Sequence, residues 1–226
     1  YDPDLVHLHN IHGYYINEEL LFSFLQESSK PVVWTLHDCW AFTGHCAHFD
    51  FIGCTRWQAG CHDCPQKKIY PASLVCDNSA ANYKKKEELF NSLKNLVLVT
   101  PSAWLADVVS RSFLRNYETR IINNGVDLEI FRRKDGNFRL RHNLKSKKII
   151  LGVANIWATK KGLDDFISLA KEVAGQSFQI VMVGLTEGQI EALPENILGI
   201  ARTENQAELA EVYSSADVFF NPTYEE

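Results

Sequence analysis

The sequence has no long apolar run, no block of like charge, no repeated or low-complexity tract and no Gly-x-Gly-x-x-Gly fingerprint. Each absence removes a class of function. A membrane-spanning helix needs about 20 consecutive apolar residues, and here His, Asn, Asp, Lys or Glu interrupts every candidate stretch. The net charge of −5 over 226 residues, with no basic cluster, argues against nucleic acid as a partner. Without the glycine fingerprint after a strand, a dehydrogenase is disfavoured. Tyr1, Asp2, Pro3 and Asp4 include neither an initiator Met nor the basic and apolar regions of a signal peptide, so the amino end is expected to be truncated. What is there suits a globular protein: 46% of residues are hydrophobic, and the length allows one large domain or two small ones.

Apolar runs of strand length alternate with amphipathic stretches. Runs at 5–9 and 31–36 flank a helical pattern at 17–28, and runs at 95–100 and 120–122 flank another at 102–113. Each is a βαβ step. A polar, basic stretch at 132–148 follows, and then the pattern restarts with strands at 149–153 and 179–183. Between them Leu163, Phe166, Ile167, Ala170 and Val173 recur at helical spacing. Strands apolar on both faces and separated by helices imply a parallel sheet covered on both sides. Near the end, a short helix from Glu208, a turn and a strand expected to be buried lead to Asn221, Pro222, Thr223, Tyr224, Glu225 and Glu226. An acidic pair therefore falls at the carboxyl end of a strand, the edge where open α/β sheets bind ligands.

Three further strings carry chemistry. Asn124-Gly125-Val126-Asp127, with Phe131 four residues on, marks a turn and a junction between domains. After the strand at 149–153, Asn155, Lys160, Lys161 and Gly162 bring two ammonium groups to a helix start, where backbone N–H donors also gather, a setting that suits a diphosphate. In the first half, His37-Asp38 and His12-Gly13 each follow a strand, and a His so placed can hydrogen-bond a sugar hydroxyl. His7 and His9, inside or at the end of a strand, are expected to be structural. Asp38 is expected to orient the His37 imidazole, to accept from an incoming hydroxyl, or to cap the following turn.

Five of the six cysteines lie within 39–64, and Cys46, Cys54, Cys61 and Cys64 are separated by seven, six and two residues. The Cys61-His62-Asp63-Cys64 turn presents two thiols together, as a zinc site requires, and Gly44, Gly53 and Gly60 permit sharp bends. Two disulfides or buried thiols without metal are the alternatives. A second Cys-x-x-Cys knuckle is absent.

In their order, these strings resemble family 4 glycosyltransferases of the GT-B fold. The stretch from Trp34 through Trp40, Gly44, Trp57 and Cys61 to Pro65 is similar to a bacterial exopolysaccharide-type subgroup. The resemblance implies an α/β chain of two Rossmann-like parallel-sheet domains, both incomplete here. Residues 1–123 would form part of an acceptor-side domain with a Cys-rich insertion at 39–64, and residues 124–226 part of a nucleotide-sugar-binding domain. It implies a retaining hexosyltransferase that takes a nucleoside-diphosphate sugar and glycosylates a glycan or lipid-linked glycan in bacterial surface polysaccharide synthesis. Lys161 matches the lysine that binds the donor diphosphate. The family arginine has no counterpart: Asn155 stands in its place, with Lys160 the nearest cation and Gly162 beside them. Glu225 and Glu226 correspond to the acidic pair that opens the donor-sugar motif, with Glu226 the first glutamate of its Glu…Glu pair, so the chain is expected to be cut through its active site and inactive alone. His37 matches the histidine that reaches the donor hexose, while Asp38, His12 and Gly13 fall on the acceptor side.

The same resemblance implies no catalytic metal, no nucleic-acid partner, a cytoplasmic enzyme at the inner face of the membrane, and peripheral membrane association. A reducing cytoplasm places structural zinc ahead of disulfides. The alternatives are a nucleotide-sugar-binding or epimerising relative and a zinc-stabilised interaction module.

Overall fold

The computed structural model describes residues 2–13, 15–73 and 75–224. The chain forms two compact units, the first ending at Asn124 and the second beginning at Gly125. In the first, β1 (Val6–Leu8), α1 (Glu18–Ser28), β2 (Val32–Thr35), α2 (Ser79–Phe90), β3 (Leu96–Thr100), α3 (Ala103–Ser110) and β4 (Glu118–Ile121) follow in chain order. Their strands make a parallel sheet in the order β1-β2-β3-β4, with Val32 paired to both Val6 and Leu96.

Local sequence explains where the helices start. The Asn17 side chain accepts the Leu20 N–H at 3.1 Å, and Ser102 accepts that of Leu105 at 3.2 Å, each satisfying one donor that a helix leaves unpaired. Glu18 and Glu19 lie in the first turn of α1, where negative charge suits the helix dipole. The core is aromatic: Phe22, Trp34 and Phe90 are all buried. The Trp34 and Phe90 rings meet edge to face at 5.0 Å, a favoured geometry for their quadrupoles.

The second unit contains α4 (Phe138–Arg141), β5 (Lys148–Val153), α5 (Leu163–Glu172), β6 (Phe178–Val183), α6 (Glu187–Glu191), β7 (Ile197–Ile200), α7 (Gln206–Ser215) and β8 (Val218–Phe219). Its sheet is parallel with order β7-β6-β5-β8. Ile149, Leu151 and Val181 pack on one face, and Ile180 and Met182 with Phe166 on the other. α4 falls within the stretch expected to be merely polar and basic. A second correction concerns β8: its residues were expected to be buried, yet Val218 is 54% and Phe219 48% exposed. β8 pairs with β5 alone, so apolar residues on this edge strand lack a second neighbour.

Candidate donor loop and histidine edge

β5 is followed by a loop and a 3-10 turn, Thr159–Lys161, before α5. Lys160 and Lys161 are half-buried in this turn, Gly162 is buried, and Asn155 is exposed. The turn uses two of its own donors, since Lys161 N–H donates to the Ala158 carbonyl and Gly162 N–H to that of Thr159, both at 2.9 Å. Asp164 and Asp165 occupy the first turn of α5 and offset its dipole. The expectation of a helix start rich in open N–H donors is thereby narrowed: cationic charge at this turn comes from the lysines.

Backbone fit holds the turn in place. Gly162 has φ of 78°, and a Cβ there would overlap Pro222; the Tyr224 N–H donates to the Lys160 carbonyl at 3.0 Å. The diphosphate-type turn after β5 and the segment after β8 are thus bound to each other, at the point where strand order reverses direction from β5. That switch point is where open α/β sheets place ligands. On the other side, Gly184 follows β6 with φ of 97°, and a Cβ would overlap the Ala154 carbonyl oxygen. Gly184 was not singled out from sequence, although a glycine closing a strand signals close backbone approach. Glu225 and Glu226 lie outside the described residues.

In the first unit, histidines gather at the carboxyl edge of β1 and β2. His7 Nε2 lies 2.8 Å from Thr35 Oγ1, and His9 Nδ1 lies 3.0 Å from His37 Nε2, with the His9 and His37 rings stacked at 5.3 Å. His9 is therefore the partner of His37, a role its position at a strand end did not suggest. Of the roles expected for Asp38, capping the following turn is the one seen: its Oδ1 accepts the Trp40 N–H at 2.8 Å, while its Oδ2 lies 2.9 Å from His12 Nε2 rather than at His37. The β1–β2 pairing brings residues 26 apart together, a long-range consequence no local pattern encodes. Burial pushes the Asp38 carboxyl up, but the His12 and Trp40 hydrogen bonds outweigh it and hold the group below its ordinary value. Gly13 and His12 line a cavity of about 300 Å³ with Trp40 and Lys86.

The four cysteines expected to hold zinc are brought together, but zinc itself is not shown. Cys46, Cys54, Cys61 and Cys64 do converge on one pocket, and they are reduced thiols rather than disulfides. Yet among the described residues no three His, Cys, Asp or Glu side chains form a metal-ligand group. The sulfurs are engaged otherwise: Cys61 Sγ accepts the Gly44 N–H at 3.1 Å, and the Cys46 and Cys64 thiols hydrogen-bond each other. Burial, then the neighbouring Cys64, Cys61 and Cys54, pushes the Cys46 thiol up to about 12.

Comparison with known proteins bears on both edges. No family model matches the chain. It is 35% identical over 133 residues to WcaC of Escherichia coli K12, named for colanic acid biosynthesis glycosyl transfer, covering 56% of this chain and 32% of that protein. It is 30% identical over 154 residues to the alpha-galactosylglucosyldiacylglycerol synthase of Streptococcus pneumoniae R6, covering 61% of this chain and 40% of that enzyme. Among solved structures, a sucrose-phosphate synthase from Thermosynechococcus elongatus superposes with TM-score 0.62 at 16% identity, over 98% of this chain and 50% of its own. The chain has the GT-B fold. An E. coli trehalose-6-phosphate protein bound with UDP-2-fluoro glucose shares this GT-B fold, with TM-score 0.58 at 13% identity over 99% of this chain and 53% of its own. The chain thus spans less than half the length of the curated relatives, at 32% and 40%. No helix among the described residues is long and apolar enough to cross a membrane.

Proposed function

We propose that the chain belongs to a retaining glycosyltransferase that moves a hexosyl group from a nucleoside-diphosphate sugar to a glycan hydroxyl in bacterial surface polysaccharide synthesis. One observation carries the reading: Gly162 packs on Pro222 and the Tyr224 N–H reaches the Lys160 carbonyl at 3.0 Å. The two-lysine turn and the approach to the acidic pair are thereby joined at the sheet's switch point. The likeness in fold to a protein bound with UDP-2-fluoro glucose supports a nucleotide-sugar donor, and the relative named for colanic acid biosynthesis supports a surface-glycan acceptor.

In this reading Lys161 and Lys160 hold the donor diphosphate. Negative charge builds on the leaving oxygens as the glycosidic bond breaks, and a fixed cation stabilises that change more than it stabilises the bound donor. His37 and Glu226 contact the hexose, Glu225 and Asn155 lie along the donor, and the His12–Asp38 pair with Gly13 faces the acceptor. Peripheral association with the inner face of the cytoplasmic membrane belongs to the same proposal, supported by the diacylglycerol-linked product in the name of one relative. The test is product analysis of the full-length protein with a panel of nucleoside-diphosphate hexoses, following sugar transfer and the anomeric configuration formed. Release of free sugar with inversion, or no donor bound at all, overturns the reading.

A further inference from the structure

Lys86 is a buried lysine that this reading leaves without a task. It is 4% exposed, its Nζ donates to the Trp40 and Thr43 carbonyls at 2.8 and 3.0 Å, and it sits 3.4 Å from the centre of the Trp40 ring. These partners offer dipoles and a ring face, none a full negative charge. Burial pulls the Lys86 ammonium down to about 7 against the raising charges of Glu18, Cys61, Asp38 and Cys46, and the carboxylates among these are turned to other cations or donors. Glu18 and Glu19 lie 4.0 and 2.9 Å from Lys85 Nζ, and Asp38 is held by His12 at 2.9 Å and by the Trp40 N–H.

The cavity that Lys86 lines, of about 300 Å³, also has His12, Trp40, Asn82 and Lys85 in its wall. Its volume lies at the small end of ligand sites. Imidazole, amide and indole groups match the hydroxyls and apolar face of one sugar ring. Its lining lysines, Lys85 and Lys86, outnumber its lining carboxylate, Glu18. A buried lysine with no carboxylate in ion-pair contact among the described residues is an unusual arrangement, because removal of its charge from water is normally offset by an opposite charge.

We propose that this cavity is an acceptor subsite selecting a sugar unit that carries an oxyanion, a carboxylate or a phosphate, with Lys86 as its charge partner. The proposal rests on the glycosyltransferase reading and narrows its acceptor. An entering oxyanion supplies a negative charge in direct contact with Lys86, in a setting where low dielectric strengthens the pair.

The test compares binding of methyl glucuronide, glucose 6-phosphate and methyl glucoside to the chain by ligand-observed NMR, with UDP binding measured in parallel. A charged probe should bind about tenfold tighter than the neutral one, as a charge-assisted hydrogen bond implies. The tighter of the two charged probes assigns the anion. Lys86→Met should bring charged and neutral probes within about twofold, while Lys85→Met keeps most of the difference. Should Lys86→Met fail to fold, the unsubstituted chain still decides: a buried contact survives added salt, whereas one made by surface lysines is screened. Equal binding of charged and neutral probes, no binding of either, a preference lost in salt, or one that outlives Lys86→Met overturns the subsite. A chain that binds UDP but does not discriminate loses only the subsite; one that binds neither UDP nor the probes loses the parent reading as well.

Discussion

The loops after β2 and β5 occupy the same place in their two sheets, at the carboxyl end of a central parallel strand, yet they are held by different forces. After β2 the side chains hold one another: His37 is bonded to His9 and Asp38 to His12, across 28 and 26 residues of sequence. After β5 the backbone does the work, through the Tyr224 N–H to the Lys160 carbonyl and through glycines that let chain segments touch at Pro222 and Ala154. The first arrangement ties function to side-chain identity. In the second, backbone contacts and glycine set the frame, so substitutions should separate activity from stability there more cleanly than at the histidine edge.

The largest effect expected from this contrast is catalytic. In the turn after β5, Lys161→Ala in the full-length protein should lower kcat/KM for the donor by about two to three powers of ten, as loss of a preorganised charge does. It should leave the denaturation midpoint almost unmoved, and Lys171→Ala on the exposed side of α5 should change neither. Steady-state kinetics beside urea unfolding checks both halves. Near-parental turnover would return the diphosphate to Lys160.

Next, Gly184→Ala should cost about 2–3 kcal/mol in stability, since its φ of 97° disfavours any side chain and the new Cβ meets a carbonyl oxygen that cannot move cheaply. A loss below about 0.5 kcal/mol, the scale of ordinary surface changes, would break the claim that backbone approach frames this loop. At the histidine edge, Asp38→Asn should lower acceptor kcat/KM about tenfold through misplacement of His12, in the manner of other positioning hydrogen bonds. Unlike Lys161→Ala, it should also shift the unfolding midpoint. Change in activity alone would mean that the two loops are held alike.

A smaller effect concerns acid stability. Asp217 joins β8 to β5, accepting the Ile149 N–H at 2.8 Å and pairing with Arg139 and Lys148 at 2.5 and 3.1 Å. The Ile149 N–H first, then Arg139 and Lys148, outweigh its desolvation and hold its carboxyl at about 2, below the ordinary 3.8. Because the folded value is the lower one, its stabilisation is present above the ordinary value and is lost as pH falls from there toward about 2. Asp217→Asn should flatten that part of the pH–stability curve, seen in urea midpoints. Least of all, metal analysis of the purified chain should find no stoichiometric zinc. About one equivalent, released by Cys61→Ser, would show that metal rather than thiol hydrogen bonding organises the insertion.

Much of the second unit was legible because its signals are local. The run at 149–153, the helical spacing of Leu163, Phe166 and Ala170, and the lysines before Gly162 all report structure within a few residues of themselves. β8 was misjudged because burial is not local: Val218 and Phe219 have strand composition but only one neighbouring strand. The cysteines show a related limit, since their spacing foretold that the four would meet in one pocket but not how their sulfurs point.

By itself the sequence determined the alternation of strands and helices, the break near Asn124 and Gly125, and which residue types stand at strand ends, because periodicity, capping and turn chemistry act over one or two turns of chain. Only the tertiary structure decided that Asp38 serves His12, that His9 serves His37, that Gly184 admits the Ala154 carbonyl, and that Lys86 is buried beside a cavity with backbone carbonyls and an indole as its contacts. Those facts depend on strand register and loop return across tens of residues. There packing and the need to satisfy each buried polar group choose among partners that local sequence leaves equal.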